Sequence, residues 1–262
     1  MRRSMVDLTL FYAWQSDTEQ NSNRYLIREA AKAALKKLSK DSELEESPRL
    51  DYDTKDEPGT PEIRASIFAK IDAAGLFLAD VSLTGKSVQN ERIPNPNVVL
   101  ETGYAAAQLG WKRIILVMNK AYGDSEQLPF DLKNRRWPIA FNTADCNDKA
   151  ALKAQQTSLQ ATLEQAIKDA MQEEHAAVER IIGRLDVVSL KLMHASGKAE
   201  WFSAPQRATM GQMLAGQAED AALIRLLDLG VLRCAVNPTE GLYAYHWTFF
   251  GKLVLKKLAI RP

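Results

Sequence analysis

Cysteine and histidine are scarce in this 262-residue chain, and neither sign of charge dominates: there are two cysteines, three histidines and a formal net charge of +1. Cys146 and Cys234 stand far apart in sequence, so no disulfide framework follows, and a reducing cytoplasm is the simpler expectation. His175, His194 and His246 lack metal-ligand spacing. All lie in the C-terminal third, so no Ser-His-Asp or Cys-His catalytic set suggests itself. Glycine-rich phosphate loops of the P-loop and dinucleotide types are both missing. Near-neutral charge leaves no whole-chain footprint for nucleic acid. No apolar run spans a membrane, and Asp7 and Gln15 interrupt any signal-peptide core behind Arg2 and Arg3. What is present, 46% hydrophobic and 26% charged residues, suits one large soluble domain or a domain plus a small one.

As far as about residue 174 the chain alternates strand and helix signals. Leu8 to Trp14 is an apolar and aromatic run suited to a buried strand, and it closes in the polar loop Gln15-Ser16-Asp17. Asn21, Ser22 or Asn23 can cap a helix running through Tyr25, Leu26, Ala30, Ala34 and Leu38. Arg24, near its start, reads as a solvated residue rather than a phosphate contact. A weaker strand spans Arg49 to Asp53. Thr54 then opens a loop to Thr60, which caps a helix with Pro61 first and Ile63, Ile67, Ile71 and Ala74 along it. Leu76 to Ala79 is a third strand, closed by Asp80. Ser82 to Ile93 reads as a long polar loop. Arg113 to Met118 is the most strand-like run and stops at Asn119. Ile139 to Phe141 is a fifth strand, and Ala150 to about Glu174 a clear helix.

This order predicts an α/β fold, an open parallel sheet with helices on both faces. Ligands bind such sheets outside the carboxyl ends of the strands. Gln15, Ser16, Asp17, Asp53, Thr54, Asp80, Ser82 and Asn119 stand there, with Asn119 read first as a turn residue. A further helix joins them from Pro94-Asn95-Pro96-Asn97-Val98-Val99-Leu100-Glu101-Thr102-Gly103-Tyr104-Ala105. Asn95 is a good N-cap, and Pro96 sits at the first helical position, where its missing N–H costs nothing. Asn97, Glu101 and Tyr104 share one face of this otherwise small and apolar helix. Glu101 can favour the helix N-terminus electrostatically, or it can face a ligand in the crevice.

With no metal set, triad or phosphate loop, acid chemistry remains. Cleaving an ordinary sugar ether takes two carboxyls, one of them to protonate the leaving oxygen. The pyridinium of NAD departs as neutral nicotinamide without that proton. A single carboxylate can then stabilise the oxocarbenium-like transition state, or attack it.

Phe11-Tyr12-Ala13-Trp14-Gln15-Ser16-Asp17, Phe77-Leu78-Ala79-Asp80-Val81-Ser82 and Asn95 through Ala105, continuing to Leu109-Gly110-Trp111-Lys112-Arg113-Ile114, together resemble bacterial Toll/interleukin-1-receptor-like (TIR-like) domains. The Asn-Val-Val-X-Glu-X-Gly-Tyr run is also similar to that of the nucleoside deoxyribosyltransferases. The resemblance covers roughly residues 6–145 and implies a flavodoxin-like sheet of five parallel strands. It implies that Glu101 is the catalytic carboxylate and NAD the substrate, cleaved at the nicotinamide–ribose bond, with no prosthetic group and no metal. TIR-like proteins of this kind often serve as anti-phage effectors activated by assembly or a signal. Under this reading Asn97 and Asp80 hold ribose hydroxyls or order Glu101, and Tyr12 and Trp14 either stack on nicotinamide or adenine or pack in the core at the strand end. Gln15, Ser16, Asp17, Asp53, Ser82 and Tyr104 complete the expected nucleotide contacts. The first loop, Trp14-Gln15-Ser16-Asp17, departs from the Gly-His-Asp-like loop of the NAD-cleaving relatives.

Beyond the first domain (1–148) and a connecting helix (149–174), the pattern changes. His175 to His194 reads as one amphipathic helix and Gly197 to Pro205 as loop. Ala218 to Leu229 is a helix ended by Gly230. Val231 to Val236 and Leu242 to Thr248 form a hairpin about Asn237-Pro238-Thr239-Glu240-Gly241, and Thr248 caps a last helix. Residues 175–262 therefore resemble a small α+β winged-helix module. Glu219, Asp220 and Asp228 oppose DNA binding by its helix, so a partner protein or self-association is expected there, with no membrane. Two other readings stand beside NAD cleavage: a non-catalytic sensor of a nucleotide messenger, and a ligand-responsive DNA-binding regulator.

Overall fold

A computed structural model of the chain describes residues 6–40, 46–52, 63–88, 92–133, 138–203, 216–236 and 243–260. Two compact units divide it, Met1–Met171 and Gln172–Pro262. In the first, strands β1 (Val6–Ala13), β2 (Glu46–Asp51), β3 (Leu76–Asp80), β6 (Ile114–Asn119) and β7 (Ile139–Phe141) form a parallel five-stranded sheet in the order β2-β1-β3-β6-β7. The expected α/β, flavodoxin-like architecture is therefore present. The chain moves outward from β1 to β2, then crosses back to β3 on the other side. That reversal places the topological switch point between β1 and β3, the place at which sheets of this kind bind ligands.

Period-2 alternation along the central strands supplies apolar residues to both faces. Phe11, Ala13, Phe77, Ala79, Leu116 and Met118 point to one face and pack with Ile71 of α2 (Ile63–Ala73) and with Val98 and Ala105 of α3 (Pro96–Leu109). The alternate residues Leu8, Leu10, Tyr12, Leu76, Leu78 and Val117 are equally buried. Helix α1 (Arg24–Leu38) buries Leu26, Ile27, Ala30, Ala31, Ala34, Leu35 and Leu38. Its Lys37 pairs at 2.9 Å with Glu164 of α5 (Lys149–Ile182). Each buried Leu, Ile or Phe contributes about 1.5–3 kcal/mol, so this double-sided core dominates the unit's stability.

One expectation needs correction here. The stretch from Ser82 to Ile93 is not all loop: β4 (Leu83–Lys86) and β5 (Arg92–Pro94) pair antiparallel. Gly85 permits the approach, since a Cβ there would lie 3.1 Å from Cγ1 of Ile93. The segment before Pro138 contains a helical turn, α4 (Phe130–Lys133), which buries Leu132. The Thr60-Pro61 helix start lies outside the described residues.

In the second unit the expected single helix over 175–194 is divided. Helix α5 runs on to Ile182, and α6 (Val187–Ser196) starts after Asp186, whose carboxylate accepts from Ser189 N at 2.7 Å as an N-cap. The N-cap at Asp186 restarts the helix after the turn at Gly183 and Arg184. Strand β8 (Trp201–Ser203), expected as loop, pairs with β10 (Tyr243–Trp247), which also pairs with β9 (Leu232–Val236) in a three-stranded antiparallel sheet. Helix α7 (Gln217–Asp228) precedes β9, and Gly230 at φ +68° takes the left-handed turn that ends it. Thr248 caps α8 (Phe249–Lys257) by accepting from Gly251 N at 2.9 Å. The expected turn at Asn237 to Gly241 lies outside the described residues.

Candidate functional site

At the carboxyl edge of the sheet, the strand-end polar residues assemble around one buried acid. Asp80 is 0% exposed. Its Oδ2 accepts from Nδ2 of Asn23 at 2.6 Å and Nε2 of Gln15 at 3.2 Å, and its Oδ1 accepts from Ser82 N at 3.1 Å. Burial raises its carboxyl above the usual range, while the hydrogen bonds from Ser82, Asn23 and Gln15 oppose the rise. Gln15 and Asn23 also both donate to Thr18 Oγ1, at 3.1 and 2.9 Å. Asn119 continues the network: its backbone N–H donates to Ser82 Oγ at 2.9 Å and its Nδ2 to Thr143 Oγ1 at 2.7 Å. Asp80, Gln15, Ser82 and Asn119 were all expected at this edge, and the structure joins them to one another. Asn23, Thr18 and Thr143 are additions. Asn23 had been read only as a cap, yet as the N-cap of α1 it makes no side-chain cap bond, because its amide goes to Asp80 and Thr18.

A second chain of contacts runs from this hub to α3. Gln15 Oε1 accepts from Asp17 N at 2.7 Å, and Asp17 Oδ2 accepts from Asn95 Nδ2 at 2.6 Å. Asn95 in turn caps α3, its Oδ1 accepting from Asn97 N at 2.8 Å and Val98 N at 3.3 Å. The N-terminus of the acid-bearing helix is thus tied across the switch point to the loop after β1. Ser16 lies in that loop with an exposed side chain, and Asn97 is likewise exposed.

Val98, Thr102 and Ala105 form the buried face of α3. Tyr104 faces α2, where its ring stacks on Phe68 (centroids 4.1 Å apart) and its hydroxyl donates to Asp72 Oδ1 at 2.8 Å. Glu101 lies one turn before Tyr104 on the same stripe, five residues and about 7.5 Å along the axis from Pro96. It is half-buried, and among the described residues no hydrogen bond or ion pair reaches its carboxylate. Burial alone pushes its pKa from an ordinary 4.5 up to about 7. A half-buried carboxylate without a compensating cation is costly, and it is poised to respond to positive charge developing beside it.

The aromatic candidates sit elsewhere. Of the two readings of Tyr12, base stacking and core packing, the structure shows the second: it is 0% exposed on the α1 face of β1 and donates to the carbonyl of Arg24 at 3.4 Å. Period-2 alternation directs it into the core and leaves no surface for a ligand. Trp14 is half-buried; its Nε1 donates to the Tyr52 carbonyl at 2.7 Å, and the guanidinium of Arg24 covers its ring at 3.1 Å from the centroid. Arg24, read from sequence as solvated, is therefore half-buried against an aromatic face. Asp53 lies outside the described residues. Among the described residues no group of three or more His, Cys, Asp or Glu side chains could hold a metal ion, and no helix is long and apolar enough to cross a membrane. No family model matches the chain, and no curated protein matches it.

Proposed function

We propose that the protein is an NAD glycohydrolase that cleaves the nicotinamide–ribose bond with Glu101 as its catalytic carboxylate. The observation that carries this reading is the half-buried Glu101, unpaired among the described residues, on the helix that follows the switch-point strand β3. In the proposed reaction the C1′–N bond of NAD breaks and its electron pair passes to the nicotinamide nitrogen, which leaves neutral. The ionised Glu101 stabilises the ribosyl cation. A water oxygen then bonds to C1′ and gives up a proton, and ADP-ribose and nicotinamide are released. The Asp80 hub and the Asp17–Asn95 tie hold α3 in place for this work, as positioning contacts rather than participants. The second unit is assigned a protein-contact or self-association role: α7 carries three acids, Glu219, Asp220 and Asp228, against one cation, Arg225, which pairs with Asp186, and that balance of sign opposes phosphate.

Nicotinamide release from NAD, measured at high protein concentration for the wild-type chain and Glu101→Gln, tests the assignment. The wild type is expected to release nicotinamide and Glu101→Gln to do so about 100-fold more slowly or worse, the scale typical of losing one transition-state electrostatic contact. Equal rates in the two proteins would remove the assignment.

A further inference from the structure

We propose that Arg24, backed by Trp14, is the phosphate subsite of the crevice, so that its ligand is a nucleoside diphosphate derivative rather than a free nucleoside. The inference builds on the reading of the crevice as a nucleotide site. Arg24 is the first residue of α1, where the helix dipole is positive and a cation is disfavoured. Nothing local compensates: the first turn of α1 contains no acid, and the N-cap side chain of Asn23 is engaged elsewhere. Among the described residues, the acids around this helix start are engaged with other groups. Glu19 accepts from the backbone amides of Asn21 and Ser22, Asp17 from Asn95, Asp80 from the hub, and Glu29 from Arg28 and Lys32. Among the described residues the Arg24 guanidinium has no hydrogen-bond partner, and its Nε is shielded from solvent as well.

What Arg24 does have is a platform. Its guanidinium carbon lies 3.1 Å from the centre of the Trp14 ring, and the indole is pinned by its bond to the Tyr52 carbonyl. A guanidinium held flat on an aromatic face has a fixed orientation and keeps its edge N–H groups for a planar or tetrahedral oxyanion. Phosphate matches that fork through paired, charge-assisted hydrogen bonds, and it also neutralises the charge at the helix N-terminus. The platform lies at the end of β1, beside the loop whose Asp17 reaches α3. With the indole bonded to Tyr52 at the end of β2, an anion bound there lies over the β1–β2 side of the carboxyl edge, the edge at which ligands of such sheets bind. A free nucleoside offers this guanidinium only neutral acceptors, without the charge that makes the phosphate contact strong.

Calorimetric titration of the full chain carrying Glu101→Gln, in which bound ligand is not consumed, tests the subsite with ADP, adenosine and pyrophosphate. ADP is expected to bind at least about 10-fold more tightly than adenosine, the size of one charge-assisted contact. Adding Arg24→Gln is expected to erase that advantage while adenosine affinity stays within about 2-fold; Arg24→Lys, which keeps the charge and loses the fork, is expected to fall between. Should Arg24→Gln fail to fold, the Arg24→Lys comparison carries the test alone. The proposal is overturned if ADP and adenosine bind alike or neither binds, if the Arg24 variants leave ADP affinity unchanged, or if pyrophosphate alone binds as tightly as ADP. Because binding is read without turnover, an inactive wild-type enzyme would count against the glycohydrolase assignment and leave this result standing.

Discussion

At the scale of single residues, two acids, Asp80 at the end of β3 and Glu101 on α3, are treated in opposite ways. Asp80 is fully buried but surrounded by donors, whereas Glu101 is half-buried with none among the described residues. Removing Asp80 strands the amides of Gln15 and Asn23, so Asp80→Ala is expected to cost at least about 2 kcal/mol, read as a lower urea midpoint at unchanged slope. Glu101 carries the opposite sign. Its folded pKa of about 7 lies above its ordinary 4.5, so between those values the native state holds more protons than the unfolded one. Stability falls as pH rises through that window and the loss is complete above it. Glu101→Gln, which cannot ionise, is therefore expected to be more stable than wild type at pH 8, on the order of 1 kcal/mol after discounting for partial exposure, and to gain nothing at pH 4. Thermal melts at both values read the difference. A stabilising loss of function is the signature of a group retained for chemistry rather than for folding.

At the scale of elements, α3 depends on Asn95, which both caps the helix and ties it to Asp17. Asn95→Ala is expected to cost about 1 kcal/mol of stability. Asn95→Ser keeps a cap but not the reach to Asp17, so it is expected to recover most of that stability while nicotinamide release stays reduced. The cap was legible because Asn95-Pro96 is a local signal, as were the apolar runs of β1, β3 and β6. The β4–β5 hairpin was not, because pairing across Gly85 and Ile93 is a contact between segments and leaves little periodicity in either. Asn23 shows the same limit. As a residue type it suits a helix cap, but a buried carboxylate from β3 competes for its amide, and that acid is 57 residues away in sequence. Arg24 was misread for a related reason. Its partner is an indole ring at the end of the preceding strand, and helical position alone says nothing about that ring.

At the scale of the whole molecule, the chain combines a parallel-sheet unit bearing Asp80 and Glu101 with a second, smaller unit that holds an antiparallel sheet. The acidic α7 argues against DNA as the second unit's partner. The full-length protein is expected to bind duplex DNA weakly at 150 mM salt, with little change in affinity as salt is lowered; tight binding with a steep salt slope would favour the regulator reading instead. In the proposed reaction the ionised form of Glu101 stabilises the ribosyl cation. The pH profile of nicotinamide release from NAD by the wild-type protein reads that ionisation. The rate is expected to climb about tenfold per pH unit below 7 and to level off above it, following ionisation of a carboxylate with its pKa near 7. A rate that stays flat from pH 5 to 9, or that rises as the acid is protonated, would contradict the account.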